Sequence, residues 1–244
     1  MDSAIVTNIG NVRDENQDKV ELRNFGESEL LAIVCDGMGG ESSGEEASRL
    51  AIESFIEYFE NNYKENMDAY TICCIMLDAV DAANSKIHEL AKSDAKNFGM
   101  GTTCVAAYIN KEGISIVNVG DSRAYYLCDG VMQQITEDHT FVNFLLKSEA
   151  ISPEEAKTHP QRHMLIRAVG VEKKVQTDLF QLLYEPNFKL MLCSDGLCGF
   201  CSDDEIQGIL EEEGTAQELA QKLLQLALDK GGKDNISIAV IKDF

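Results

Sequence analysis

The chain has 244 residues, with 42 Asp and Glu against 21 Lys and Arg, a formal net charge of −21. That excess of negative charge argues against nucleic acid and anionic membranes as partners. No apolar run approaches the ~20 residues of a membrane span, and no apolar stretch follows a basic N-terminus, so a cytoplasmic protein with a full core is expected.

Residues 4–7 and 19–22 read as strands around a polar loop that holds Arg13, Asn16, Gln17 and Asp18. Arg13 is open to two readings there: a solvated surface charge, or a fork for a pair of phosphate oxygens. An apolar run over 32–35 turns at Asp36-Gly37. Next, Ala47, Leu50, Ala51, Phe55, Tyr58 and Phe59 recur at helical spacing. A second helix is expected over about 70–92, with Tyr70, Cys73, Leu77, Val80, Ile87 and Ala91 in phase, and both stripes are suited to packing on a sheet. Residues 103–109 and 113–118 read as strands. So do 124–128 and 131–135, joined at Asp129-Gly130, a strong hairpin signal, and the four form a meander.

The strand rhythm breaks over 137–170. Ser152-Pro153-Glu154-Glu155 supplies an N-cap, a proline at the first helical position and a capping-box glutamate, so a short helix starts there. His159, Arg162, His163 and Arg167 make this stretch locally basic, as a stabilising flap or as a lid near an anionic substrate. Strands resume at 177–183 and 189–193. Ser202–Glu205 and Thr215–Glu218 are further capping boxes, starting helices of about two and four turns. A last strand over 236–241 follows Asp234-Asn235. This order suggests antiparallel sheet on sheet with the helices outside.

Four of these strands carry an aspartate at one end, Asp234 just before its strand and the others after theirs. The run 190–193 stops at Ser194-Asp195-Gly196, a strand closed by a carboxylate and a glycine turn. Asp36, Asp121 and Asp234 hold comparable places, and only folding can gather positions so far apart. Each alone is ordinary turn chemistry. Gathered, they repel and raise one another's pKa until protons or cations neutralise them. Oxygen-only sites suit hard divalent cations such as magnesium or manganese. The eight cysteines, among them Cys35, Cys104 and Cys193 in apolar runs and Cys73 and Cys74 on helix faces, fit small hydrophobes in a reducing compartment. Cys198 and Cys201 have CxxC spacing, but no second pair completes a zinc site.

The motifs GNVRDENQD (10–18), VCDGMGG (34–40), GTT (101–103), NVGDSRAY (118–125), EDHT (137–140), HPQRHMLIRAVG (159–170), LCSDGL (192–197) and DNIS (234–237) resemble, in order and across the whole chain, the metal-dependent protein serine/threonine phosphatases of type 2C in their bacterial form. The resemblance implies an α+β fold, a four-layer α-β-β-α sandwich of two antiparallel sheets flanked by helices. It implies a single domain over 1–244 with a flap at about 141–170. It implies hydrolysis of phosphoserine and phosphothreonine in proteins by a metal-bridging hydroxide, with two core Mn2+ or Mg2+ ions and a weaker third. By position, Asp36 would bridge the two ions. Asp18, Asp195 and Asp234 would add carboxylates and Gly37 a carbonyl. Asp121 would serve the third position, and Arg13 would hold the substrate phosphate. The implied partners are phosphoproteins and a cognate Ser/Thr kinase that the enzyme opposes, and a monomer is expected.

Two positions depart from the family pattern. Met38 stands where animal members carry a histidine proposed as general acid, so a metal-bound water is the implied proton source. Gly199 stands where many members have a further aspartate for the third ion, which weakens that position here. Two other classes remain open at this point: a catalytically silent domain used for binding, and a metal-dependent phosphoesterase of small molecules.

Overall fold

The computed structural model describes residues 1–26, 28–40 and 43–243. In chain order its strands are β1 (Asp2–Asn8), β2 (Asp18–Gly26), β3 (Glu29–Met38), β4 (Gly101–Thr102), β5 (Cys104–Asn110), β6 (Gly113–Val119), β7 (Arg123–Cys128), β8 (Val131–Gln134), β9 (Asp178–Leu182), β10 (Lys189–Cys193) and β11 (Ile236–Lys242). The helices are α1 (Ser43–Asn62), α2 (Ala69–Ser93), α3 (Phe141–Lys147), α4 (Pro153–Thr158), α5 (Asp195–Cys198), α6 (Asp203–Leu210) and α7 (Ala216–Asp229). One sheet runs β1-β11-β10-β7-β8 and the other β2-β3-β5-β6-β9, with β4 paired to the end of β3. All pairings are antiparallel.

The period-two geometry of a strand explains the layering. Along β3, Leu31, Ile33 and Cys35 face α1 and α2, while Leu30, Ala32 and Val34 face the other sheet, where Leu190, Leu192, Ala239 and Ile241 meet them. Burial on both faces is why β3 reads as an unbroken apolar run. A third core lies between the first sheet and α6 and α7, built on Leu219, Leu223 and Ile206 against Met191 and Ile238. The expected four-layer sandwich is therefore present. Among the described residues no helix is long and apolar enough to cross a membrane.

The three capping boxes form as read: Ser152 with Glu155, Ser202 with Glu205 and Thr215 with Glu218. Four local readings change. Asp36 does not sit in a turn. β3 continues through Asp36 and Gly37 to Met38 because β4 supplies a partner there, pairing Gly37 with Thr102 and Met38 with Gly101. Ser194-Asp195-Gly196 is not a glycine turn but the start of α5, with Ser194 at the N-cap and Asp195 in the first turn. The presumed meander divides between the sheets: β5 and β6 lie in one, β7 and β8 in the other. The chain crosses at Gly120, where φ is +109° and a Cβ would stand 2.6 Å from Thr103 Cγ2. Finally, α3 was not anticipated; Thr140 caps it through Asn143 N, without the capping-box glutamate that marks the other starts.

Gly196 fits for want of a side chain: a Cβ there would lie 1.9 Å from Asn235 O. That close approach brings α5 against the start of β11. Gly196→Ala should therefore cost about 3 kcal/mol by overpacking against rigid backbone. Urea unfolding checks it, and a midpoint equal to wild type would show that the junction is soft.

Candidate metal centre

Asp36 and Gly37 come from the end of β3, Asp121 from the β6–β7 crossing, Asp195 from the first turn of α5, and Asp234 from the residues before β11. Together with Arg13 of the β1–β2 loop, they line one cleft of about 970 Å3. Asp18 opens β2 directly across from Asp36 in the ladder. It lies behind the cleft rather than on its wall, 1% exposed. The sheets therefore gather all five aspartates that the sequence singled out.

The surroundings of Asp18, Asp36 and Asp121 resist ionisation. Burial pushes the Asp18 carboxyl up to about 7, aided by the charges of Asp195 and Asp234, although a hydrogen bond from Ser194 opposes the shift. Burial likewise raises Asp121 to about 8, with Asp195 and Asp138 next in importance. Asp36 is raised by its protein surroundings first and then by Asp18, Asp195, Asp121 and Asp234. Two oxygens, Asp18 Oδ1 and Asp195 Oδ1, are buried without any hydrogen-bond partner. Such atoms are costly unless something else satisfies them. Among the described residues no three His, Cys, Asp or Glu side chains already close a cage around one point. The acids ring the cleft instead, an arrangement suited to a hydrated hard cation that keeps several waters.

Hydroxyls and one amide hold the ring in place. Ser194 Oγ donates to Asp18 Oδ2 at 2.6 Å and accepts from Ser237 N at 2.9 Å. Asn235 pins the β1–β2 loop. Its Oδ1 accepts from Gln17 N at 2.8 Å, and its Nδ2 donates to Ile9 O and Glu15 O, each at 2.9 Å. Gly10 makes that junction possible, since a Cβ would come within 2.3 Å of Asp234 O. Gly37 is equally constrained, with Gly44 O standing 2.0 Å from where its Cβ would be. Arg13 Nη2 donates to Asp234 Oδ2 at 2.8 Å, and this contact is the main reason the guanidinium pKa rises further. With 56% of its side chain exposed, Arg13 is tethered at the cleft mouth rather than buried in it.

Asp121 also borders a second cavity of about 660 Å3, shared with Asp138, His163, Asp195 and Gly199. Gly199 closes α5, its N–H donating to Asp195 O at 2.7 Å. A Cβ there would stand 2.6 Å from that same oxygen, so a side chain at 199 requires the turn to move. Beyond α5, Tyr125 OH donates to Asp203 Oδ1 at 3.0 Å. Asp138 is gripped by Arg123 through two hydrogen bonds of 2.8 and 2.7 Å. From the basic stretch, His163 Nδ1 reaches 3.6 Å from Asp195 Oδ2, whereas Arg167 pairs with Asp178 at 2.7 Å. The supporting roles of Ser194, Ser237 and Asn235 were missed from the sequence. Only their adjacency to Asp195 and Asp234 marked them.

The protein phosphatase 2C family model matches residues 11–230. Serine/threonine phosphatase stp of Listeria innocua is 36% identical over 239 residues, covering 97% of this chain and 93% of that one. Stp1 of Staphylococcus aureus, a serine/threonine phosphatase, superposes with a TM-score of 0.91 at 35% identity, covering 99% of this chain and 94% of that one. The catalytic domain of serine threonine protein phosphatase PstP, solved in complex with 2 manganese ions, superposes at 0.84 with 33% identity, covering 98% of this chain and 96% of that domain. With the family matched across nearly its whole length, the chain belongs to the protein phosphatase 2C family of metal-dependent protein serine/threonine phosphatases.

Proposed function

We propose that this enzyme removes phosphate from phosphoserine and phosphothreonine in proteins with two divalent cations held by Asp18, Asp36, Asp195, Asp234 and the Gly37 carbonyl. The carrying observation is the ring of carboxylates in which Asp18, Asp36 and Asp121 are pushed up by burial and by their acidic neighbours, with Asp18 Oδ1 and Asp195 Oδ1 lacking partners. Oxygen donors alone, of which four are anionic, fit Mn2+ or Mg2+. When bound, two such ions lower the pKa of a water between them and align it with phosphorus.

The chain's own residues do the rest. Asp36, whose carboxyl is pushed up by burial and by all four other acids, would help to hold both ions. Ser194, by donating to Asp18, keeps that carboxylate turned to its task, as outer hydrogen bonds commonly do for ligands. Arg13 forks onto the phosphoryl oxygens once substrate competes with Asp234 for its guanidinium. No side-chain nucleophile is assigned. Asp121 is assigned to a third, weaker ion, consistent with Gly199 offering no acid beside it.

The whole chain acts as one catalytic domain, and residues 141–170 serve as its flap. Phe141 N–Met164 O and Ile166 N–His139 O, at 2.8 and 2.9 Å, tie that segment to the residues around Thr140. All eight cysteines are free, which suits a reducing cytoplasm. A monomeric enzyme opposing a Ser/Thr kinase is the physiological reading that follows. Activity on a phosphothreonine peptide with added Mn2+, compared with chelator and with nucleotide substrates, tests the assignment.

Asp36→Asn, Asp195→Asn and Asp234→Asn should each cut kcat by roughly 100-fold or more while leaving the fold intact, since each removes a negative ligand. Near wild-type turnover of Asp36→Asn at saturating Mn2+ would remove the two-ion assignment.

Arg13→Ala should raise KM for phosphopeptide by about tenfold, and Arg13→Lys should restore only part of the loss because it lacks the fork. Steady-state kinetics decide this, with unchanged KM in both variants returning Arg13 to a surface charge.

Metal and pH should act together on stability. Asp18 at about 7 and Asp121 at about 8 lie above their ordinary 3.8. Across that window the native state holds protons that the unfolded chain has released. Metal-free stability from these groups is therefore present at low pH and lost as pH rises through about 7 and 8. Bound cations stabilise the ionised forms and reverse the trend. The gap in Tm between Mn2+-loaded and chelator-treated protein should widen from about pH 6 to about pH 9. A gap independent of pH would contradict it.

A further inference from the structure

The inner face of α2 is apolar, with Ile72, Met76, Val80, Ala83 and Ile87 buried, except for one amide: Asn84, 1% exposed. A buried amide is tolerated where its hydrogen bonds are made. Asn84 Oδ1 accepts from Gly170 N at 2.7 Å, and Nδ2 donates to Glu172 O at 3.0 Å and Lys173 O at 3.3 Å. One turn along, His88 Nδ1 stands 3.1 Å from Gly170 O and donates to it, since a carbonyl can only accept. Gly170 adopts φ +93° with Ile87 Cγ2 at 2.1 Å from the place of a Cβ, so the chain passes as close to α2 as backbone allows. From the other side Val169 exchanges two hydrogen bonds with Thr102, at 3.0 and 2.8 Å. Every polar group of Asn84 that has a partner is spent on the backbone of 170–173.

That backbone leads into one wall of the catalytic cleft. Val171, Glu172, Lys174, Val175 and Gln176 line the same cavity as Asp36 and Asp234. Val171 Cγ2 and Met38 Cε flank Gly101 together, at 2.8 and 3.0 Å from where its Cβ would stand, so the wall is continuous with the cleft floor. The wall carries none of the acids assigned to metal. The cleft, about 970 Å3, is large enough for a ligand far bigger than a phosphoryl group. The space beside 171–176 is thus left for the remainder of the substrate. Val171, 42% exposed, is the apolar end of that wall where it meets Met38, with Glu172, Lys174 and Gln176 beyond it.

We infer that Asn84 is a positioning residue for the polypeptide part of the substrate: by clamping 170–173 it fixes the 171–176 wall as a subsite for an apolar side chain beside the phosphorylated residue. The inference rests on the phosphoprotein reading above. Asn84 touches no substrate itself and acts through the backbone it holds.

The test compares kcat and KM, with Mn2+, for a phosphothreonine peptide flanked by leucine and for p-nitrophenyl phosphate, in wild type, Asn84→Ala and Val171→Ser. Asn84→Ala should raise peptide KM about tenfold at little change in kcat, and shift KM for p-nitrophenyl phosphate by less than about twofold. Val171→Ser, at an exposed position, should raise peptide KM in the same selective way with Tm unchanged, and it carries the test if Asn84→Ala does not fold. Equal losses on both substrates in Asn84→Ala, or a wild-type peptide KM in Val171→Ser, would overturn the inference. A wild-type enzyme that hydrolyses p-nitrophenyl phosphate but no phosphopeptide would instead overturn the phosphoprotein reading.

Discussion

The repulsion among Asp18, Asp36, Asp121, Asp195 and Asp234 is the constraint on which the rest of the molecule depends. Burial penalises the charges of Asp18, Asp36 and Asp121, and the neighbouring carboxylates penalise them further. Left alone, such a cluster would drive its segments apart or stay protonated. The two sheets hold it together by brute hydrophobic packing, with the inter-sheet core of Leu30, Val34, Leu190, Leu192 and Ile241 fully or nearly fully buried. On the proposed reading the site is a local loss of stability that the surrounding sandwich absorbs and that cation binding would recover.

The supporting polar groups follow the same logic. Ser194 and Asn235 add no charge, yet they join segments that are remote in sequence: Ser194 to Asp18, and Asn235 to Ile9, Glu15 and Gln17. Glycines admit these contacts where backbones nearly touch, at Gly37 against Gly44 and at Gly196 against Asn235. Asn84 repeats the device away from the acids, joining α2 to the backbone of 170–173 that leads into the cleft wall. These neutral hydrogen bonds join segments at the site without adding a further carboxylate to the repulsion.

Arg13 shows how charge is rationed in a chain with 42 acidic residues. It is tied to Asp234 and remains more than half exposed, so on the proposed reading a phosphate would take it over without an uncompensated burial. Arg167 and Arg123 are already committed, to Asp178 and Asp138. Gly199 leaves the Asp121 side of the site without a further acid, and the tightness of the α5 turn gives that glycine a structural reason as well.

Much was determined by sequence alone. Periodicity and capping boxes located the two long helices, α4, α6 and α7 to within a few residues, because those signals are local. The strand-end pattern picked out Asp36, Asp121, Asp195 and Asp234, because a carboxylate beside glycine or asparagine at the end of an apolar run leaves its mark in one dimension, whereas Asp18 was marked only by the family resemblance. Which sheet each hairpin joins was not legible: β5-β6 and β7-β8 look alike in sequence, and the crossing at Gly120 is enforced by Thr103, a contact made only on folding. Nor was the extension of β3 through Asp36, which needs β4, delivered from more than sixty residues away, to supply its ladder. The single turn of α5 at Asp195 is likewise set by the approach of Asn235. The sequence named the charges. Only the tertiary structure decided that Asp18 lies beneath the cleft while Asp36, Asp121, Asp195 and Asp234 line it, since burial and mutual distance belong to the folded chain and to no segment of it.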